Sequence, residues 1–366
     1  MIAADVLVLG AGPAGAVAAL NLAPFHRVIV LERGVEPARR GGESLPAAVC
    51  RLLGDMGLWP AFLRSQPEPV FGRASRWGGP DQAEVESLRD PDGSGWHVDR
   101  ARFDVLLRTA AAERGAVVLT SAHPAALSQV DDGWDATVVL RGRNVPVRAS
   151  FLIDARGRAA RPLPGCGAKR TVHDKLVCGW LERPSGIEDG ENGSAFALTE
   201  AEEEGWWYGA PMPNGRRLLA FYTDADLPAA ADAASVSRLL YRAARRTSSR
   251  PGEPSADDRH GYCAAHGACL EPAGGRNWLA VGDAAAAFDP LSSQGGFNAL
   301  FTGLAAAEAV HRALKGDSEA VNGYCAQLSD IWATYCRHRA AWYGLEQRWR
   351  AEPFWLRRHP PGAGVP

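Results

Sequence analysis

Three glycines near the start of the chain stand at a spacing that can hold a phosphate. Gly10, Gly12 and Gly15 form GxGxxG between an apolar run at 5–10 (DVLVLG) and an alanine-rich run at 14–22. In a strand–turn–helix the first glycine makes the tight turn, the second lets backbone approach a pyrophosphate, and the third lets the helix pack on the strand. Pro13 and Ala14 begin the helix, whose free N–H groups and positive dipole end face the phosphates. A second apolar run at 27–32 ends in Glu32, where a carboxylate can accept from a ribose hydroxyl. Arg33 beside it joins the expected cofactor-binding set. The chemistry is dinucleotide binding, and this motif does not choose between FAD and NAD.

A second glycine constellation lies late in the chain, where residues 278–300 read WLAVGDAAAAFDPLSSQGGFNAL. An apolar strand ends at Gly282 and Asp283. Pro290 follows, then Gly295 and Gly296 open an apolar helix. A carboxylate at a strand end can hold a ribityl hydroxyl. Two glycines at a helix start present N–H groups to an electron-rich carbonyl, where a reduced isoalloxazine gathers negative charge.

With both constellations in place, the chain resembles the FAD monooxygenases of the p-hydroxybenzoate hydroxylase superfamily. Their pattern is Gly-Asp, a proline beside the flavin ring and a glycine-rich helix start. The resemblance implies that Asp283 binds the ribityl chain, that Pro290 lies against the ring, and that Gly295 and Gly296 stand near its pyrimidine end. Residues 96–104 (WHVDRARFD) carry a further match, in which Arg100 contacts the cofactor. The same residues also allow a plain helix cap by Asp99. Residues 151–161 (FLIDARGRAAR) are similar to the superfamily's Asp-Gly fingerprint through Asp154 and Gly157. They depart from it in Ala155 and in a missing serine, so the implied electron donor is NAD(P)H or a separate flavin reductase.

Residues 41–46 (GGESLP) resemble the tryptophan-halogenase-like and geranylgeranyl-reductase-like branches. Glu43 and Ser44 are then expected near the flavin, with Glu43 a general base or a group that orients the ring. Residues 205–211 (GWWYGAP) partly match the halogenases' WxWxIP. Trp206, Trp207 and Tyr208 are expected to line a substrate cavity or to pack the second sheet. Halogenases of this branch also carry an active-site lysine after the GE loop, whereas here no lysine precedes Lys169. The pattern most resembles the halogenase-like hydroxylases that modify tryptophan in a partner protein during tryptophylquinone biogenesis. The resemblance implies an FAD-dependent monooxygenase acting on an electron-rich aromatic ring, with a partner protein's tryptophan among the substrates. A small-molecule hydroxylase, a geranylgeranyl-reductase-like FAD oxidoreductase and a flavin-bearing binding protein without turnover are the rival readings. In the hydroxylase reading the cofactor carries the hard step while the protein excludes water and places the ring. The sequence accordingly holds no HExxH, HxxxH or GxSxG.

These residues need a frame, and 366 residues with 46% apolar and 22% charged content can bury one. A net charge of −2 argues against a whole-chain nucleic-acid footprint. Seven cysteines, an odd number without a CxxC, predict no disulfide framework and no metal site, and fit a reducing cytoplasm. Residues 6–25 have the length of a membrane span, but their glycines and prolines make them strand, turn and helix, with no integral membrane segment.

The expected fold is α/β: a discontinuous Rossmann-like FAD-binding domain (1–70, 96–160 and 266–325), a β-rich substrate domain (71–95 and 161–265) and C-terminal helices (326–366). Helices are expected at 46–56, 100–114, 236–246 and 295–314, a loop at 37–46, a hairpin at 135–149 and a separate strand at 150–155. The tail is expected to stay helical from about 321 to 353, with Trp342, Leu345 and Trp349 as a packing stripe. Six arginines at 337–358 against two glutamates predict a solvated basic face or a dock for an acidic partner.

Overall fold

The computed structural model describes residues 2–37, 41, 43–87, 93–185, 196–247 and 252–359. Gly42 of the GGESLP stretch and residues 360–366 of the expected C-terminal segment lie outside the described residues.

The early apolar runs form a parallel sheet. Strand Ile2–Leu9 lies between Val28–Leu31 and Arg143–Asp154, with Val117–Leu119 and Trp278–Ala280 beyond them. Val6, Leu7 and Val8 are fully buried, each contributing about 1.5–3 kcal/mol of burial. Continuous apolar strands are what a sheet covered on both faces demands. Helix Pro13–Leu22 packs on Gly295–Leu314 and on Arg100–Glu113. A Cβ at Gly303 would press into Val17, so glycine sets that close approach. Arg143–Asp154 corrects the expected hairpin strand and separate strand, because the two are one strand. No glycine or proline falls at the supposed break, Ala149–Ser150, so pairing runs through it.

A second, seven-stranded sheet runs in the order Arg259–Ala264, Leu176–Pro184, Arg216–Asp224, Gly205–Met212, Phe196–Glu202, Gly72–Arg76 and Ala83–Glu86. Its period-two alternation sends Trp206 into one core and Trp207 into another. The 37–46 stretch, expected as loop, contributes strand Glu43–Leu45. It pairs with Gly95–Val98, whose other edge takes Glu68–Val70.

The tail departs from its sequence pattern. Helix Ala320–Leu345 stops short of 353; of the expected stripe, Trp342 and Leu345 are more than half exposed, while Trp349 packs on the core around Trp206 and stacks on Trp355. Tyr343, Phe354 and Trp355 are buried in that same core. Four of the six tail arginines are ion-paired: Arg339 to Asp174 and Asp289, Arg348 to Glu346, Arg357 to Asp224 and Asp226, and Arg358 to Asp224. Most of the expected basic face is therefore structural. Among the described residues no helix is long and apolar enough to cross a membrane.

Candidate functional site

The C-terminal ends of the parallel strands converge. Leu9 pairs with Leu31 and Asp154, and Asp154 pairs with Ala280, so Gly10, Glu32, Ala155 and Val281 stand side by side. Ligands of open α/β sheets bind at this edge.

The three glycines have separable roles. Gly10 has φ +107°, and a Cβ there would run into the Ala155 carbonyl. A Cβ at Gly15 would strike the Gly10 carbonyl and the Ala155 side chain. Gly12 differs: its φ is −70°, and nothing lies within 4 Å of its missing Cβ. Neither backbone nor packing requires glycine at that position. The space it leaves, at the N-terminus of Pro13–Leu22, is what a pyrophosphate needs. This cradle fits FAD.

Glu32 Oε2 accepts from Ala11 N–H at 2.9 Å, and Oε1 accepts from Gly34 N–H at 3.1 Å. Arg108 donates to Ala11 O at 2.8 Å and reaches Glu32 at 3.3 Å. Arg33 is exposed. Asp154 is buried and turned to its neighbour, with Arg156 Nε at 2.8 Å and Nη2 at 2.7 Å. Gly157, at φ +75°, has open space beyond it. Asp283 pairs with Arg158 at 3.2 Å, and Arg170 donates to the Asp283 and Ala284 carbonyls at 2.9 and 2.8 Å. Gly282, at φ +55°, abuts Ala14 and joins the two glycine constellations.

At the opposite end, Glu43, Arg100 and the Gly295–Gly296 pair meet. Arg100 donates to Glu43 Oε2 and reaches Asp104 at 3.3 Å. Asp99 caps the helix, accepting from Ala101 and Arg102 N–H, which is the helix-cap reading of that motif. Glu43 Oε1 lies 2.5 Å from where a Gly296 Cβ would be. A carboxylate here is favoured by the helix dipole. Pro290 opens a short 3₁₀ turn held by buried Asp289. Tyr343 donates to Asp289 at 2.8 Å, Arg339 reaches it at 3.3 Å, and Asp289 N–H donates to Tyr335 at 2.8 Å. The Pro290 loop is thereby tied to helix Ala320–Leu345.

A cavity of about 470 Å³ lies between that loop and that helix, bordered by Leu291, Gln294, Asn298, His338 and Trp342. Gln294 and Asn298 are each roughly 200° round the helix from Gly296. The cavity and Glu43 therefore flank opposite sides of the helix start.

Of the three aromatics expected to line a substrate cavity, Trp206 and Trp207 are packed away at 1% and 2% exposure. Trp206 stacks on Tyr222 and Trp207 on Phe221. Tyr208 alone borders a cavity, a small one of about 40 Å³ shared with Arg73, Thr199 and Ser293. Its hydroxyl lies 2.6 Å from Ser44 Oγ, which lies 2.7 Å from His97 Nδ1. Burial, with the like charges of Arg73 and Arg217, pushes His97 down to about 4. The imidazole is neutral, and its Nε2, buried and unpaired, borders the same cavity. Burial also pushes the Tyr208 phenol up.

Sequence reasoning missed Arg108, Arg158, Arg170, Asp289 and His97. Arg158, His97 and Asp289 stand inside stretches already singled out; Arg108 and Arg170 carry no local signal. Among the described residues no cluster of His, Cys, Asp and Glu could hold a metal.

With this geometry in hand, the chain matches the FAD binding domain family over residues 3–320. LodB of Marinomonas mediterranea, by name an FAD-dependent oxidoreductase, is 30% identical over 368 residues, covering 97% of this chain and 96% of LodB. The solved structure of QhpG, a peptidyl tryptophan dihydroxylase essential for tryptophylquinone cofactor biogenesis, is similar at TM-score 0.73 and 25% identity, covering 99% of this chain and 80% of that one. The flavin-dependent halogenase CmlS is similar at TM-score 0.80 and 23% identity, over 98% of this chain and 68% of that one, a likeness of fold.

Proposed function

This chain belongs to the FAD binding domain family and is an FAD-dependent oxidoreductase, and from that premise we propose that it hydroxylates an electron-rich aromatic ring, a tryptophan side chain of a partner protein being the first substrate class to test. The observation that carries hydroxylation over halogenation is the lysine-free stretch before Lys169, in a chain whose fold is also that of a halogenase. The likeness to a peptidyl tryptophan dihydroxylase supports a peptide-borne indole. A reducing cytoplasm is its proposed compartment, on the odd cysteine count without a CxxC.

Bound FAD supplies the oxygen activation. The chain's own residues then have four tasks. Gly12 and the N-terminus of Pro13–Leu22 receive the pyrophosphate, and Glu32 accepts from the ribose. Asp283, held by Arg158, accepts from the ribityl chain. Glu43, oriented by Arg100 and Asp104, stands at the start of Gly295–Leu314 and fixes the ring's edge. The Ser44–His97–Tyr208 chain joins the GGESLP strand to the second sheet through neutral hydrogen-bonding groups, beside the Arg73 guanidinium that borders the same cavity. Reductant enters from NAD(P)H or a separate flavin reductase.

The test is aerobic turnover of the reduced FAD-loaded protein with tryptophan-bearing peptides in the presence of chloride and bromide. Products heavier by oxygen and free of halogen are expected. A halogenated product would overturn the reading.

A further inference from the structure

Two thiols that the oxidoreductase site does not use face each other across the second sheet. Strand Leu176–Pro184 pairs antiparallel with the edge strand Arg259–Ala264, and Cys178 stands directly opposite Cys263. Ala265 N–H donates to Leu176 O at 2.9 Å. Hydrogen-bonded pairs alternate along such a ladder, so 178/263, two steps on, is one of them, with Cα atoms about 5.5 Å apart. That Cα separation is within a disulfide's range, while the wider Cβ spacing of a hydrogen-bonded pair makes a bridge there strained and readily reduced. The Cys178 thiol already contacts both Cys263 and the Tyr222 hydroxyl.

Cys263 is exposed and Cys178 is buried. The pair lies on the cofactor side of the sheet. Trp180, on the same face as Cys178, packs against Gly41 at the entry to the GGESLP strand. Arg158, which holds Asp283, acts on Cys178 through its charge.

We propose that Cys178 and Cys263 form a reversible oxidation site that consumes hydrogen peroxide and closes into a cross-strand disulfide pinning the edge strand. The oxidant is the product of oxygen that is reduced at a flavin and not transferred to substrate, so the site depends on FAD and oxygen but not on which ring is hydroxylated. The O–O bond breaks at the Cys263 sulfur, which becomes a sulfenic acid, and one water leaves with the thiol proton. The Cys178 sulfur then forms the S–S bond and displaces the hydroxyl, which leaves as a second water with the Cys178 proton. Two thiols lose two electrons, and peroxide gains them. Burial pushes the Cys178 thiol up, which keeps it protonated and assigns the first attack to Cys263.

The experiment treats the FAD-loaded protein with stoichiometric hydrogen peroxide, counts thiols and maps the linked peptides. Loss of two thiols, a Cys178–Cys263 peptide pair and recovery by dithiothreitol are expected, together with slowed hydrogen exchange across Arg259–Ala264. Cys263→Ser, at an exposed position, should keep FAD and lose no further thiols under the same dose. Cys178→Ser should leave Cys263 as a sulfenic acid trapped by dimedone. Three results would overturn the proposal: an unchanged thiol count, wild-type Cys263 over-oxidised with no linked peptide, or a bridge elsewhere, such as Cys269–Cys336, whose thiols also interact.

Discussion

The parallel sheet and the second, seven-stranded sheet of this molecule are built from different materials. Along the parallel sheet the site is backbone: glycines at Gly10, Gly12, Gly15 and Gly282, strand ends, and helix N-termini. Across from it the second sheet presents aromatic rings locked by side-chain bonds. Trp206 stacks on Tyr222, Tyr208 reaches Ser44, and Trp355 Nε1–H donates to the Glu202 carbonyl at 2.8 Å. A backbone-built site fails by collision and leaves little room for substitution. A site built of side chains fails by graded loss of packing.

The largest expected effect breaks the first half of that comparison. Gly15→Val drives a side chain into the Gly10 carbonyl and should cost more than about 4 kcal/mol, enough to abolish soluble folded protein in expression and circular dichroism assays. Gly12→Val is its control: at the helix N-cap, where valine is disfavoured against glycine, it should cost no more than about 2 kcal/mol and leave the protein folded. FAD affinity, read by fluorescence titration, should fall about a hundredfold or more. An unfolded Gly12→Val would erase the distinction between packing glycine and ligand glycine.

On the other side, Trp355→Ala empties a fully buried site and should cost about 3–5 kcal/mol in denaturant unfolding. FAD affinity of the folded fraction should be unchanged. His97 gives the next effect. Its imidazole sits near 4 when folded and near 6.5 when unfolded, so the unfolded chain binds more protons between those values. Stability should therefore be full above pH 6.5 and fall as pH drops toward 4, by roughly 3 kcal/mol from this group. His97→Gln should flatten that part of the pH–stability curve; an unchanged slope would mean another group titrates. The smallest effect is Tyr208→Phe, which removes one hydroxyl from Ser44 and should cost about 1 kcal/mol, again with FAD affinity intact.

The same division explains what was legible in the sequence. Gly10 and Gly15 are fixed by local backbone geometry, and Glu32, Asp283, Gly295 and Gly296 stand in the same two short motifs. The strand–helix–strand around the first glycines follows from the same residues. His97 acts through Ser44, 53 residues away, and Asp289 through Tyr335, Arg339 and Tyr343 on a distant helix. No local pattern encodes such pairings. The tail misled for a related reason. Trp342 and Leu345 do share a helix face, but each stays more than half exposed. The chain turns after Leu345 and buries Phe354 and Trp355, residues that helical spacing did not single out. Cys178 and Cys263 stand far apart in sequence, and only the register of two strands brings them together.

Oxygen transfer from this FAD-dependent oxidoreductase to an aromatic ring is the proposed reaction. Its most direct test is turnover of the reduced, FAD-loaded protein under isotopically labelled dioxygen with a tryptophan-bearing peptide, followed by mass spectrometry of the indole. The account predicts label from dioxygen in the ring, with none from water. Oxygen consumed entirely as hydrogen peroxide across the peptide series, or an indole that gains halogen in place of oxygen, would contradict it.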